Sequence, residues 1–250
     1  MINRMRVAGL AGALLGLVAS AAVADDLDAV EKRICTAWAK HRSVTATINM
    51  QSEITSDEQR ITSNGQGTYE FLRHGDKLLA RTEMRSTMNQ RVGEQEMSSQ
   101  QQVLVIVDGQ WAHTYAETTV EFGGTQMPPQ RMATKRDIAG EASPDPRQML
   151  ADLHKDHNVT LLPEDAGAGR KLYVLEARPK HPVPGHPIAK MVHYFDQDTG
   201  CMAKLVMLDE RDKPIQTITY SDYKFDVDIK PERFVFVAPP GVQVLDQTGD

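Results

Sequence analysis

Eight histidines and two cysteines are the side chains of this 250-residue chain best suited to hold a metal or attack a substrate. His154 and His157 stand three apart in a segment with helical periodicity, and His181, His186 and His193 cluster further on. A zinc site needs three or four ligands at telling spacings. No third ligand accompanies the first pair, so no metal site and no cofactor is expected. Cys35 and Cys201 are either bridged, joining an N-terminal helix to a late strand, or two separate buried thiols; spacing along the chain cannot supply the Cα separation a bridge needs. Asn158-Val159-Thr160 is a glycosylation sequon, informative only in a eukaryotic secretory setting. No Gly-x-Ser-x-Gly elbow, phosphate-binding loop, dinucleotide fingerprint or His-Glu-x-x-His helix occurs, so catalysis is not expected.

The first 24 residues read as an export leader. Arg4 and Arg6 precede an apolar run over residues 7–18, and Ala22-Val23-Ala24 gives the small-x-small pattern of a cleavage site. The run is shorter than the roughly 20 residues that cross a bilayer. No cysteine follows it to carry a lipid anchor. Residues 25–250 are expected to form one domain in an oxidising, periplasmic compartment. The chain holds 28 Lys+Arg against 34 Asp+Glu, and losing the two leader arginines makes the remainder more acidic still. Such a balance argues against nucleic acid as a partner.

The elements that must position any site follow from periodicity. Leu27, Val30, Ile34 and Trp38 recur at helical steps within residues 25–40, with Asp25, Asp26 and Asp28 at the positive dipole end. The period then changes to two over residues 44–50, a half-buried strand. Further strand patterns cover residues 67–72, 77–85 and 103–107, the last closed by the Asp108-Gly109 turn. Residues 88–102 are strongly polar, either the outer half of a long hairpin turning near Gly93 or a mobile loop. Residues 123–146 read as a connection. A short helix starting at Ser143-Pro144 carries Met149, Leu150 and Leu153 as its stripe. Strands then follow at residues 159–162, 171–178, 188–196, 201–210 and 214–225. So many strands and so few helices predict an antiparallel sheet that curls on itself or encloses something.

The C-terminal residues carry a resemblance. Phe234-Val235-Phe236-Val237-Ala238-Pro239-Pro240-Gly241-Val242-Gln243-Val244 resembles the ending of the LolA-type periplasmic lipoprotein carriers. Gly65-Gln66-Gly67 before a strand, the apolar strand with its Asp-Gly turn, and Trp111 and Tyr115 fall in the family's order. The resemblance implies a mainly β, α+β fold: a strongly curved antiparallel half-barrel with a helical lid on its concave face. It also implies an apolar cavity for the acyl chains of lipoproteins or other lipids. The implied role is a carrier or chaperone, most simply a monomer, that takes cargo from an inner-membrane donor and delivers it toward an outer-membrane acceptor. By position after Gly65-Gln66-Gly67, Arg73 corresponds to the family's lid-locking arginine. The sequence departs from the pattern at His74-Gly75-Asp76-Lys77, where the family often has proline and aromatic residues.

The residues suit such a cavity. Twelve methionines occur, ten of them beyond the leader, and flexible thioethers fit surfaces that repack around variable apolar ligands. The candidates for cavity and lid are Leu27, Ile34, Trp38, Met50, Met84, Trp111, Met149, Leu150, Leu153, Met191 and Met207. A sensor or adaptor of the same fold, binding a partner without shuttling, is the alternative. A secreted hydrolase with a histidine metal site is a distant third.

Overall fold

The structure is a computed structural model describing residues 26–55, 59–92, 95–138, 144–165 and 170–248; the leader lies outside them. After helix α1 (Leu27–Trp38) come strands β1 (Ser43–Thr55), β2 (Gln59–His74), β3 (Lys77–Val92), β4 (Gln95–Val107), β5 (Ala112–Phe122), β6 (Thr125–Gln126) and β7 (Gln130–Arg136). Helix α2 (Pro146–Asp156) leads into β8 (His157–Asp165), β9 (Leu172–Pro179), β10 (Lys190–Asp196), β11 (Met202–Leu208) and β12 (Pro214–Phe225). A 3-10 turn, Pro231–Phe234, and β13 (Val244–Asp246) complete the chain.

These strands form one sheet in the order β13-β7-β5-β4-β3-β2-β1-β12-β11-β10-β9-β8, with β6 attached to β5. Every pairing is antiparallel except β13 on β7. The two ends of the sheet, β13 and β8, do not meet, so the sheet is open. The β3–β4 hairpin pairs from Ala80↔Val107 out to Val92↔Gln95. Residues 88–92 and 95–102 of the polar segment are therefore paired strands, not loop, while Gly93, where the turn is expected, lies outside the described residues. The connection expected over residues 123–146 is partly strand: β6 and β7 extend the sheet there, in a Thr- and Arg-rich stretch whose alternation is too weak to read.

The pleat sends odd-numbered residues of β2 and even-numbered residues of β3 to one face, and the faces differ in their cover. Leu72, Leu79, Ile106, Ile229 and Phe234 form a cluster on the convex face, where the segment after β12 lies as a strap. Arg233 fastens that strap, donating to both Glu70 carboxylate oxygens at 2.8 Å. The helices cover the other face. Val30 and Ile34 of α1 and Leu150 of α2 pack on Tyr173, Leu175 and Phe195. Both helices are amphipathic for this reason: Val30, Ile34, Ala37 and Trp38 of α1 are buried. α2 begins at Pro146 behind an Asp145 cap whose side chain accepts from the Arg147 backbone N–H. The start expected at Ser143-Pro144 thus falls at Pro146, the first helical position behind the Asp145 cap, and Ser143 itself lies outside the described residues.

Candidate functional site

Between the helices and the concave face lies a cavity of about 340 Å³. Trp38 of α1 and Pro146 and Met149 of α2 roof it. Its floor comes from Ile48 of β1, Tyr69 of β2, Ala80 and Thr82 of β3, and Val105 and Val107 of β4. Phe195, Met202, Leu205, Ile218, Tyr220 and Tyr223 close the far wall, and Arg136 of β7 stands on the near side. β7 and β10 are eight places apart in the strand order, roughly 38 Å in a flat sheet. One cavity touching both requires strong curvature, and the half-barrel expected from the sequence is what the chain forms.

Two glycines help shape the concave floor. At Gly67 a Cβ would collide with the Glu83 carbonyl oxygen and with Met84 Sδ. At Gly65 it would meet Met50 Cε at 3.1 Å. The missing side chains let two thioethers lie flat on the sheet. Cross-strand register extends this surface beyond the cavity: Ile48, Gly67, Met84, Val103, Ala116 and Met132 form one row. Met191 and Met207 face each other across β10 and β11. Gln216 donates to Met50 Sδ at 3.1 Å, adding a polar contact beside Gly65 on the same face.

The sequence-predicted residues divide accordingly. Trp38 and Met149 line the cavity. Ile34 and Leu150 are core, with Leu27 and Met149 packed against them, and Leu153 is half-buried on α2. Met50, Met84, Met191 and Met207 lie on the concave face outside the cavity lining. Trp111 does not belong to the site. It sits at the start of the strand whose His113 stacks on Phe236 of the strap at 5.1 Å, and the Lys135 ammonium lies 4.3 Å over its ring. The turn at Asp108-Gly109 sends this alternating series to the convex face. Cys35 and Cys201 are free thiols. Cys35 packs in the α1–α2–β9–β10 cluster and Cys201 in a separate one with Trp38, Val44 and Phe71. Burial pushes the Cys201 thiol up to about 12.

Arg73 reaches α1 indirectly. Its guanidinium carbon lies 5.9 Å from the Phe71 ring centroid, and Phe71 in turn meets Trp38. Among the described residues its side chain makes no hydrogen bond to either helix. A direct polar link between the helices is His154 Nε2 to Glu31 at 2.8 Å. Sequence reasoning missed Tyr69, Tyr220, Tyr223 and Arg136. Parity within β2 and β7 would have found Tyr69 and Arg136 once the register was known, whereas Tyr220 and Tyr223 have opposite parity and share a face through the register shift in the β1–β12 pairing. Burial pushes the Tyr69 and Tyr223 hydroxyls well above their ordinary range, and Tyr223 donates to the Met202 carbonyl at 2.5 Å. The Trp38 Nε1–H is buried and has no partner among the described residues.

The histidines do not assemble a metal site of the usual kind: among the described residues no three His, Cys, Asp or Glu side chains gather. His113 and Asp108 are 3.0 Å apart, but the same carboxylate accepts the Gln110 and Trp111 backbone N–H groups, which makes the pair a turn brace. Burial lowers His193 to about 4, with His157 adding a smaller push.

No family model matches the chain. An uncharacterized protein of Methanocaldococcus jannaschii is 30% identical over 147 residues, 57% of this chain and 38% of that protein. The chain thus spans well under half the length of this curated relative. The MucA/MucB complex of Pseudomonas aeruginosa is similar at 15% identity over 82% of this chain and 59% of the matched chain, with a TM-score of 0.41. A LolA superfamily protein of Nitrosomonas europaea is similar at 11% identity over 85% and 99%, with a TM-score of 0.28. The chain's own geometry, an open curved antiparallel sheet with two helices on its concave face, is the half-barrel that the sequence resemblance implies.

Proposed function

We propose that this chain is an exported, non-catalytic binder that takes an acyl chain into the cavity beneath α1 and α2. Its role on this reading is that of a periplasmic carrier or chaperone for lipoproteins or related lipids, working between an inner-membrane donor and an outer-membrane acceptor. The observation that carries the reading is the cavity: about 340 Å³ of mostly apolar space roofed by two helices and floored by a curved sheet. A dozen buried methylenes offer about 10 kcal/mol before association costs. Release then needs a lid whose own apolar contacts can replace the ligand's, and Trp38 and Met149 stand where that exchange would occur.

A second reading, an adaptor that holds a protein partner, draws on the far end of the molecule. Ile54, Phe122, Met127 and Met132 are exposed there. Native mass spectrometry of the full chain, expressed with its leader in a Gram-negative host and recovered from the periplasm, separates the two. Co-purified lipid or lipoprotein supports the carrier. A clean apo mass, with no uptake of a fluorescent fatty acid, would sink it.

A further inference from the structure

We infer that the cavity selects single-chain amphiphiles with an anionic head, and that Arg136 reads the head at the cavity's edge; this rests on the acyl-binding reading above. The first observation is volume. About 340 Å³ lies near the low end of ordinary ligand sites, roughly 300–1,000 Å³, which suits one chain better than two or three.

The second observation is charge. Among the described side chains lining the cavity, Arg136 alone carries a formal charge. It pairs with Ala112 across β5 and β7, and Ala112 is fully buried in the concave cluster with Ala80 and Val107. Arg136 is therefore on the cavity face, yet the residue as a whole is exposed. An arginine so placed lays its aliphatic stem on the apolar floor and holds its guanidinium at the water boundary.

The third observation is its lack of a partner. The other cations of β7 face the convex side and are neutralised: Arg131 by Glu117 at 3.0 Å and Lys135 by Asp246 at 3.2 Å. The Arg136 side chain makes no hydrogen bond or ion pair among the described residues. A planar guanidinium with its donors free matches a carboxylate or a phosphate in two parallel hydrogen bonds. The two heads share this chemistry.

Four ligands with the same sixteen-carbon chain test the inference, each titrated below its micellar concentration against a displaced fluorescent probe: hexadecanoate, hexadecyl phosphate, hexadecanol and hexadecyltrimethylammonium. One or both anions should bind at least about tenfold more tightly than the alcohol, as charged hydrogen bonds of about 1.5–3 kcal/mol require. The better anion identifies the head. Arg136→Gln should erase that preference, bringing the anions to within about twofold of the alcohol in the same variant, and at so exposed a position should barely alter stability. Arg136→Glu should turn the preference toward the ammonium. Equal binding of anions and alcohol by the native chain, or a preference that survives in Arg136→Gln, overturns head-group selection and leaves the acyl site standing. No binding of any of the four overturns the acyl site itself.

Discussion

Phe71 of β2 and Trp38 of α1 meet with ring centroids 4.8 Å apart and planes tilted by 45°, and this contact joins the lid to the sheet. Phe71 is fully buried, and Arg73 reaches α1 through it. Phe71→Ala should therefore cost about 3–5 kcal/mol in urea unfolding and raise the binding of a hydrophobic dye as α1 loosens. Arg73→Leu removes a cation–π contact of about 0.5–1 kcal/mol and should change dye binding by less than about fivefold. A larger effect for Arg73 than for Phe71 would restore Arg73 as the lock.

A second tie holds α1 from below. Gly200, in the β10–β11 turn, has φ +69, and a Cβ there would overlap the Ile34 carbonyl oxygen and lie 2.7 Å from the Trp38 backbone nitrogen. Gly75 has a similar φ of +63 but nothing within 4 Å. Gly75→Ala should thus pay only the left-handed backbone term, about 1–2 kcal/mol. Gly200→Ala must pay that and displace helix backbone as well. Urea midpoints of the two variants measure the difference, and equal losses would show that α1 does not depend on this contact.

How far the sequence reached follows from the periods involved. Helix α1 is announced by apolar positions at helical steps, and β10 and β11 by short apolar runs bounded by turns. The curvature was legible only through the count of strands and the resemblance at the C-terminus. β7 was missed because Arg131, Thr134 and Lys135 give a strand that is polar along much of its length. The closing motif shows its pattern in the sequence but not its place: Phe234 and Phe236 cover the convex face, since Leu72, Leu79 and Ile106 need burial there. Residue type alone places Trp111 in the cavity. Its face is set by the register of the Asp108-Gly109 hairpin, which a single strand's pattern does not contain.

Acid should unfold the chain partly through His193. Burial holds its folded value near 4, below the 6.5 of an unperturbed imidazole. The unfolded chain therefore takes up the proton first. The stability this histidine confers is complete above about pH 6.5, falls as pH drops toward 4, and is lost below that, a change of up to about 3 kcal/mol. His193→Leu should flatten this part of the stability profile relative to the native chain. Parallel profiles would show that His193 is not titrating.

The two thiols should behave as independent groups. Cys201 is buried and its thiol is raised to about 12, while Cys35 is raised less, by partial burial first and then by Asp145. At about pH 8 the thiolate does the reacting, so iodoacetamide should label Cys35 first and reach Cys201 only on unfolding. A bridged protein would instead label neither until a reductant is added.

Gly67 is where curvature and ligand capacity meet. Its missing side chain lets β2 and β3 approach with Met84 lying across the gap; an added methyl would collide with the Glu83 backbone, which cannot move without opening the sheet. Gly65 is the natural control. Its nearest neighbours are Met50 Cε, Ser86 Cβ and the Arg85 carbonyl oxygen at 3.1, 3.2 and 3.3 Å, a fit that small shifts can relieve. Gly65→Ala should therefore lie within about 1 kcal/mol of the native chain, with fluorescent fatty-acid affinity nearly unchanged. Gly67→Ala should lose about 1–3 kcal/mol, as overpacking does, and weaken the ligand by more than its stability loss explains at saturating folded protein. If both variants bind as the native chain does, the two glycines serve strand pairing alone and the cavity owes its shape to the helices.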